Sequence, residues 1–462
     1  MGPFGFFFRL FVGITVVIAA YFAYKIHNLT LSAPVPHLND AEYWGPGSAS
    51  NYKENTEVKP FDISVKPELI KDLEAQLARP PILQEPLEGI GFQYGFNSKY
   101  LKDVVKYWRL NYLPKWSERE AFLKQFPHFE TQIQGLRIHF IHVKPKPTKG
   151  KKVVPLLLLH GWPGSVREFY SIIPLLTKPN PKSDYVFEVI APSLTGYGWS
   201  QGSSKTGFGA IQMAIVMRNL MLRVGHEKFL VQGGDWGSLI GSNIATLRPQ
   251  NVLGYHSNLC NHRHPLSTVY HVARSWLPGV FVKEEHEDFF KTFGENLFYM
   301  MEESGYFHIQ ATKPDTIGTA LLHNPVGLAA YILEKFSTWT NPKYRILEDG
   351  GLTKRFTMDE LLDNIMIYYV TNSITTSQRL YSESFNIASF ALNMDGVHVH
   401  VPTGCARFIH DLLHSTDTEV AVKFKNLIHS TYHKEGGHFA AMEVPQILYD
   451  DFVVYANKAL QK

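Results

Sequence analysis

Cysteine is almost absent from this chain, with two residues, Cys260 and Cys405, in 462. They stand far apart and in no metal-ligand spacing, which excludes a disulfide framework and leaves the redox compartment open. A strong charge of either sign is also lacking. The 45 Lys and Arg against 42 Asp and Glu leave a formal net charge of +3. No long basic run occurs, so a nucleic-acid partner is not expected. Internal repeats, low-complexity tracts and coiled-coil heptads are missing too. What is present is 45% hydrophobic and 13% aromatic sequence, enough for a large core and unlike a disordered composition.

Long uncharged runs are scarce, with one exception. FGFFFRLFVGITVVIAAYFAY, Phe4 to Tyr24, is 21 residues with the single charge of Arg9. At 1.5 Å of rise per residue it covers roughly 30 Å, a hydrocarbon core's thickness. A single-pass transmembrane anchor over residues 1–24 is expected. The alternative is a cleaved signal peptide, for which Ala20 and Ala23 offer a weak site. Arg9 precedes the run while Lys25 and His27 follow it, so charge does not fix the orientation.

Residues 25–150 read as a linker and a helix-rich N-terminal region. SAPVPHLNDAEYWGPGSASNY is dense in Pro, Gly and Ser. Ser64 to Ala78 and Tyr100 to Leu110 have helical spacing, and Gln132 to Val143 alternates like a strand. A core begins near Lys151 and runs to 262. KKVVPLLLLHGW, YVFEVIAPSLTGYGWS and KFLVQGG each carry an apolar run suited to a strand buried on both faces. IQMAIVMRNLMLRVG and WGSLIGSNIATLRP supply helices between and after them. This alternation predicts a mostly parallel sheet with right-handed crossovers. From 263 to 390 the text turns helical, aromatic and Met-rich, as a lid over the strand ends. The core resumes over 391–462, with a strand at GVHVHVPTG.

The chemistry centres on VQGGDWGS. Gly233-Gly234-Asp235-Trp236-Gly237 fits G-x-nucleophile-x-G, the turn that lifts a nucleophile above an α/β-hydrolase sheet. Asp235 occupies the nucleophile slot. A carboxylate is ionised at neutral pH and needs no base to activate it. On an acyl carbon it yields only an anhydride, whereas at a saturated carbon it displaces a leaving group and forms an ester. Water must then attack that ester with the help of a base, an acid that orients the base, and an oxyanion hole. The chain order nucleophile, acid, histidine nominates Asp411 in VPTGCARFIHDLLH and His438 in HKEGGHFAAMEVP. The backbone N–H groups of Trp162 in HGWPGS and of Trp236 are the candidate oxyanion hole, with Pro163 fixing the loop, through a cis bond in the simplest arrangement.

A halide would leave as an anion needing only N–H donors, whereas an epoxide oxygen becomes an alkoxide and benefits from a proton donor. The insert offers Tyr299, Tyr306, Tyr331, Tyr344, Tyr368, Tyr369 and Tyr381, and composition does not choose among them. Haloalkane dehalogenation and non-catalytic binding of a lipophilic ligand therefore stand beside epoxide opening.

LLLLHGWPGSVREFY, IAPSLTGYGWS, VQGGDWGS, GYFHIQATKPDTIG, LEKFSTWTNP and GGHFAAMEVP together resemble the microsomal epoxide hydrolases, especially the insect juvenile hormone epoxide hydrolases. The resemblance runs from about Phe61 to the C-terminus. It implies an α/β-hydrolase core, an N-terminal meander, a helical lid, a membrane-bound place in the endoplasmic reticulum, and no metal or organic cofactor. It implies hydrolysis of a lipophilic epoxide, either juvenile hormone or xenobiotic epoxides, to a vicinal diol. By motif, Asp235 is the nucleophile, His438 the base, and Tyr306 and Tyr381 the lid donors to the epoxide oxygen. Relatives commonly place Glu where this sequence has Asp411.

Overall fold

A computed structural model describes residues 3–461. The terminal residues of the expected 1–24 and 391–462 segments, Met1, Gly2 and Lys462, lie outside the described residues. Six strands, β4 (Lys152–Leu159), β5 (Tyr185–Pro192), β6 (Phe229–Gly233), β7 (Val252–Ser257), β8 (Thr403–Phe408) and β9 (Leu427–His433), run parallel. Three more, β1 (Lys59–Pro60), β2 (His128–Ile133) and β3 (Leu136–Val143), add an antiparallel flank. The order is β1-β2-β3-β5-β4-β6-β7-β8-β9. β4, β5 and β6 form where the apolar runs placed them; β6 is wholly buried, and β4 and β5 are buried on both faces over their carboxyl halves, with Lys152 and Val153 exposed at the start of β4.

Three expectations are corrected, and a fourth, the membrane span, finds no support. Gln132 to Val143 is not one strand, because Gln134 and Gly135 both take positive φ, 53° and 84°, and turn the chain into the β2–β3 hairpin. GVHVHVPTG contributes only its end to β8, and its valines make one isolated bridge, Val399 to Phe424. Cys260 and Cys405, distant in sequence, join in one disulfide beside neighbouring strands β7 and β8, with Cα atoms 5.8 Å apart. The N-terminal run is helical over Pro3–Leu29, yet among the described residues no helix is long and apolar enough to cross a membrane. The single-pass anchor is therefore not supported in the form expected.

Between β7 and β8 the chain is helical from Pro265–Trp276 to Ile387–Ala391. One of these helices, Met358–Thr371, is nearly all buried and carries Asp363, which has no solvent exposure. Asp363 accepts hydrogen bonds from Arg167 Nε at 2.9 Å, Arg119 Nε at 3.0 Å and the Tyr112 hydroxyl at 3.0 Å. It thus ties the N-terminal region, the loop after β4 and the helical insertion into one unit.

Removing the shared anion would leave Arg167, 2% exposed, with only the Glu360 carboxylate, 3.5 Å from its Nη2, to balance its charge. Asp363→Ala should cost about 3–5 kcal/mol of stability, read as a lowered denaturant midpoint. A loss below about 1 kcal/mol would show that the network is dispensable.

Candidate active site

Parallel strands present their carboxyl ends along one edge, and the candidate residues follow those ends. Asp235 lies immediately after β6, at the start of helix Asp235–Leu247, with φ of 48°. This left-handed conformation is unusual for a residue other than glycine and marks a strained, tightly held turn. The turn is possible because neighbours lack side chains. A Cβ on Gly237 would sit 2.0 Å from the Leu159 carbonyl oxygen, and one on Gly161 would sit 2.1 Å from Asp235 Oδ1.

The loop after β4 presents Trp162, whose N–H donates to Asp235 Oδ1 at 2.8 Å. The Trp162–Pro163 bond is cis. Helix Met358–Thr371 pins this loop: Asn364 Nδ2 donates to the Pro163 carbonyl at 2.8 Å, and the Tyr368 hydroxyl to that of Gly164 at 2.8 Å. Trp236 occupies the first turn of helix Asp235–Leu247, where backbone N–H groups lack intrahelical partners.

His438 follows β9 and Asp411 follows β8. Asp411 Oδ1 lies 2.7 Å from His438 Nδ1 and also accepts the Leu412 N–H at 2.7 Å. The other imidazole nitrogen, Nε2, stands 3.3 Å from Asp235 Oδ2, without an aligned hydrogen bond. Asp, although shorter than Glu, reaches the imidazole directly. Burial opposes charge on His438, but the carboxylates of Asp411 and Asp235 outweigh it and hold the imidazolium well above its usual range. An ester on Asp235 would delete one of those two charges and make the imidazolium more acidic, so that the ring can give up its proton and stand neutral, free to accept one from water.

Tyr306 and Tyr381, on helices Gly305–Thr312 and Ile374–Ser384, face the same space with ring centroids 6.1 Å apart. Tyr306 stacks on Trp162 at 5.3 Å, and Tyr381 meets Trp236 edge-on at 4.7 Å. Burial, reinforced for Tyr306 by the charge of Asp235, pushes its hydroxyl well above the usual phenol range. Burial, then Tyr306 and Asp235, does the same to Tyr381. Both are therefore neutral donors at physiological pH. They border a cavity of about 350 Å³ that also contains Asp235, Leu239, Phe307 and Phe385.

Sequence reasoning missed several residues. Glu168, in HGWPGSVREF, borders a small polar recess behind Asp235 together with Gln232, Asn258 and His438. The recess measures about 10 Å³, the scale of one water molecule. Burial raises the Glu168 carboxyl to about 8, with His438 opposing and Asp235 adding to the shift. Glu443 accepts the Phe439 N–H at 2.8 Å and so holds the turn carrying His438. Lys335 Nζ lies 4.5 Å from the Tyr306 ring centre. Glu168 and Lys335 act through tertiary contacts and Glu443 through a local turn, and only the offset of the two glutamates from HGWPG and GGH could have flagged them. The one ligand-capable trio among the described residues, His142, Glu188 and His226, lies apart from this cavity.

Residues 58–169 match the family model for the epoxide hydrolase N terminus, and 154–344 that for the alpha/beta hydrolase fold. The chain is 48% identical over 432 residues to juvenile hormone epoxide hydrolase 1 of Ctenocephalides felis, covering 94% of this chain and 92% of that protein. It is 46% identical to epoxide hydrolase 1 of Sus scrofa, covering 88% and 90%. The crystal structure of juvenile hormone epoxide hydrolase from the silkworm Bombyx mori superimposes with a TM-score of 0.89 at 44% identity, covering 92% and 99%.

The raised His438 pKa stabilises the fold fully below the ordinary value of about 6.5, and that contribution is lost as pH rises through the folded value. Asp235→Asn removes that carboxylate's charge. Nitrogen-15 histidine NMR should show His438 titrating roughly one unit or more lower in that variant. An unchanged titration would mean that Asp235 does not govern the imidazole.

Proposed function

The chain belongs to the epoxide hydrolase family, and on that premise we propose that it opens a lipophilic epoxide through a covalent ester on Asp235. The observation that carries this reading is the placing of two kinds of group, imidazole and phenol, around one carboxylate. Asp235 and two neutral phenols border the cavity, and an imidazole stands 3.3 Å from Asp235 in the polar recess behind it.

In the first step an Asp235 oxygen attacks a ring carbon and the C–O bond of the epoxide breaks. Tyr306 and Tyr381 hold the departing oxygen, and one of them gives it a proton. The resulting phenolate recovers that proton from the His438 imidazolium, which esterification of Asp235 has made more acidic. Neutral His438 then takes a proton from a water in the recess beside Glu168, and the oxygen of that water attacks the Asp235 carbonyl carbon. The N–H groups of Trp162 and Trp236 stabilise the oxyanion. Collapse of the intermediate releases the diol and restores the Asp235 carboxylate and the imidazolium. Asp411 holds the imidazole's orientation throughout.

The helices over residues 263–390 act as a lid that supplies both tyrosines and the apolar wall. The cavity's Leu, Phe, Met and Trp lining suits a lipophilic substrate. A juvenile hormone epoxide is the physiological substrate favoured by the names of the insect relatives, with xenobiotic epoxides beside it. Attachment to the endoplasmic-reticulum membrane through the N-terminal helix belongs to the same proposal. It is supported by the exposed Leu10, Phe11, Ile14, Val17 and Ile18.

Two variants separate the steps. His438→Gln should let ester form but slow its hydrolysis by roughly 10²–10⁴-fold. Intact-mass analysis would then show one substrate added per chain, on the peptide containing Asp235. Tyr306→Phe combined with Tyr381→Phe should slow ester formation itself by roughly 10²-fold or more. An adduct on another residue, or full burst kinetics in the double variant, would contradict the scheme.

A further inference from the structure

The helical insertion is apolar on its outer side as well as toward the cavity. In helix Pro265–Trp276 the residues Val269, Val272 and Trp276 recur at i, i+3 and i+7 and are all exposed. In helix Phe293–Glu303 the residues Phe293, Leu297 and Met301 form a matching stripe, with Phe298 at its edge. Trp276 is 81% exposed, Met301 72% and Phe298 66%. A soluble helix turns such a stripe inward; here two adjacent helices turn it outward.

The charges near this face are tied off away from it. Arg274, the one full charge in residues 265–282, is buried with its Nε 3.3 Å from Glu419 and its Nη2 2.7 Å from His271. Burial, then Arg274, lowers His271 to about 4, so it is neutral. Glu295 folds back to cap its own helix through the Thr292 N–H and hydroxyl. Glu302 and Glu303 turn to Arg345, at 2.8 and 3.3 Å. An exposed apolar face without outward charge is expensive in water.

Two contacts say what covers it. The N-terminal helix Pro3–Leu29, itself lined with exposed apolar side chains, passes against helix Pro265–Trp276. Met300, 42% exposed beside this face, also lines the cavity that contains Asp235. The face therefore joins an apolar N-terminal helix on one side and the substrate cavity on the other.

We infer that the outer face of helices Pro265–Trp276 and Phe293–Glu303 docks into the surface of a lipid bilayer and draws lipophilic substrate from it past Met300. Apolar burial drives this docking, with Trp276 at the interface between headgroups and acyl chains. The substrate part rests on the epoxide reading above, whereas the docking part does not.

Trp276 is the only exposed tryptophan among the eight, so it reports on the face directly. The full chain is mixed with neutral phosphatidylcholine vesicles, with and without brominated acyl chains, at low and high salt. Fluorescence of the parent should fall with brominated lipid, Trp276→Phe should lose that fall, and salt should change neither. Equal quenching in both proteins overturns the docking. So does a Trp276 shielded in a dimer of this chain, seen by sedimentation. In Trp276→Glu with Phe298→Glu, kcat/KM for a vesicle-dissolved epoxide should fall roughly tenfold, with a small water-soluble epoxide turned over as in the parent. Equal loss for both substrates, or no loss for either, overturns the substrate route. A parent that hydrolyses neither epoxide would instead refute the enzymatic reading, with the quenching result still standing.

Discussion

An imidazolium held between two carboxylates is the interaction on which the rest of this structure depends. His438 touches Asp411 at 2.7 Å and faces Asp235 at 3.3 Å, and all three follow different strands of one parallel sheet. Hundreds of residues intervene between the first and the last of them, so only the β6-β7-β8-β9 order makes them neighbours. The two anions are not equivalent. Asp411 is buried and accepts the Leu412 N–H as well as facing the ring, whereas Asp235 opens onto the cavity. On the proposed scheme Asp411 only orients the ring, and Asp235 is the carboxylate consumed.

The surroundings serve that asymmetry. Low polarity around Tyr306 and Tyr381 keeps their protons on, so they can donate to an oxygen that gains charge nearby. The tryptophans that offer backbone N–H groups also pack their rings on those tyrosines, so donor geometry on both sides of the cavity is set by one aromatic cluster. Helix Met358–Thr371 completes the bracing, because Asn364 and Tyr368 hold the Trp162 loop while Asp363 anchors Arg167 and Arg119 below it. The insertion thus does more than cover the strand ends.

Much of this was legible because it is local. The Gly-Gly-Asp-Trp-Gly turn, the three apolar runs of β4, β5 and β6, and the helix after Asp235 each declare themselves within a few residues. What stayed hidden depends on partners far along the chain. The apolar pattern of β7 is interrupted by Gly254, where a Cβ would sit 2.2 Å from the Tyr455 hydroxyl. β9, LIHSTYH, reads as polar, yet His429, Thr431 and His433 all bond to the buried Asp451. GVHVHV has the alternation of a strand but lacks neighbours to pair with along most of its length. Glu168 looks like an ordinary solvated glutamate until the fold closes over it.

Isotope labelling tests the central claim most directly. In a single turnover with enzyme in excess, run in oxygen-18 water, the proposed ester route puts the heavy atom into the Asp235 carboxylate and leaves the first diol unlabelled. Label appearing at once in the diol, with none in Asp235, would mean that water attacks the epoxide itself, and the account would fail.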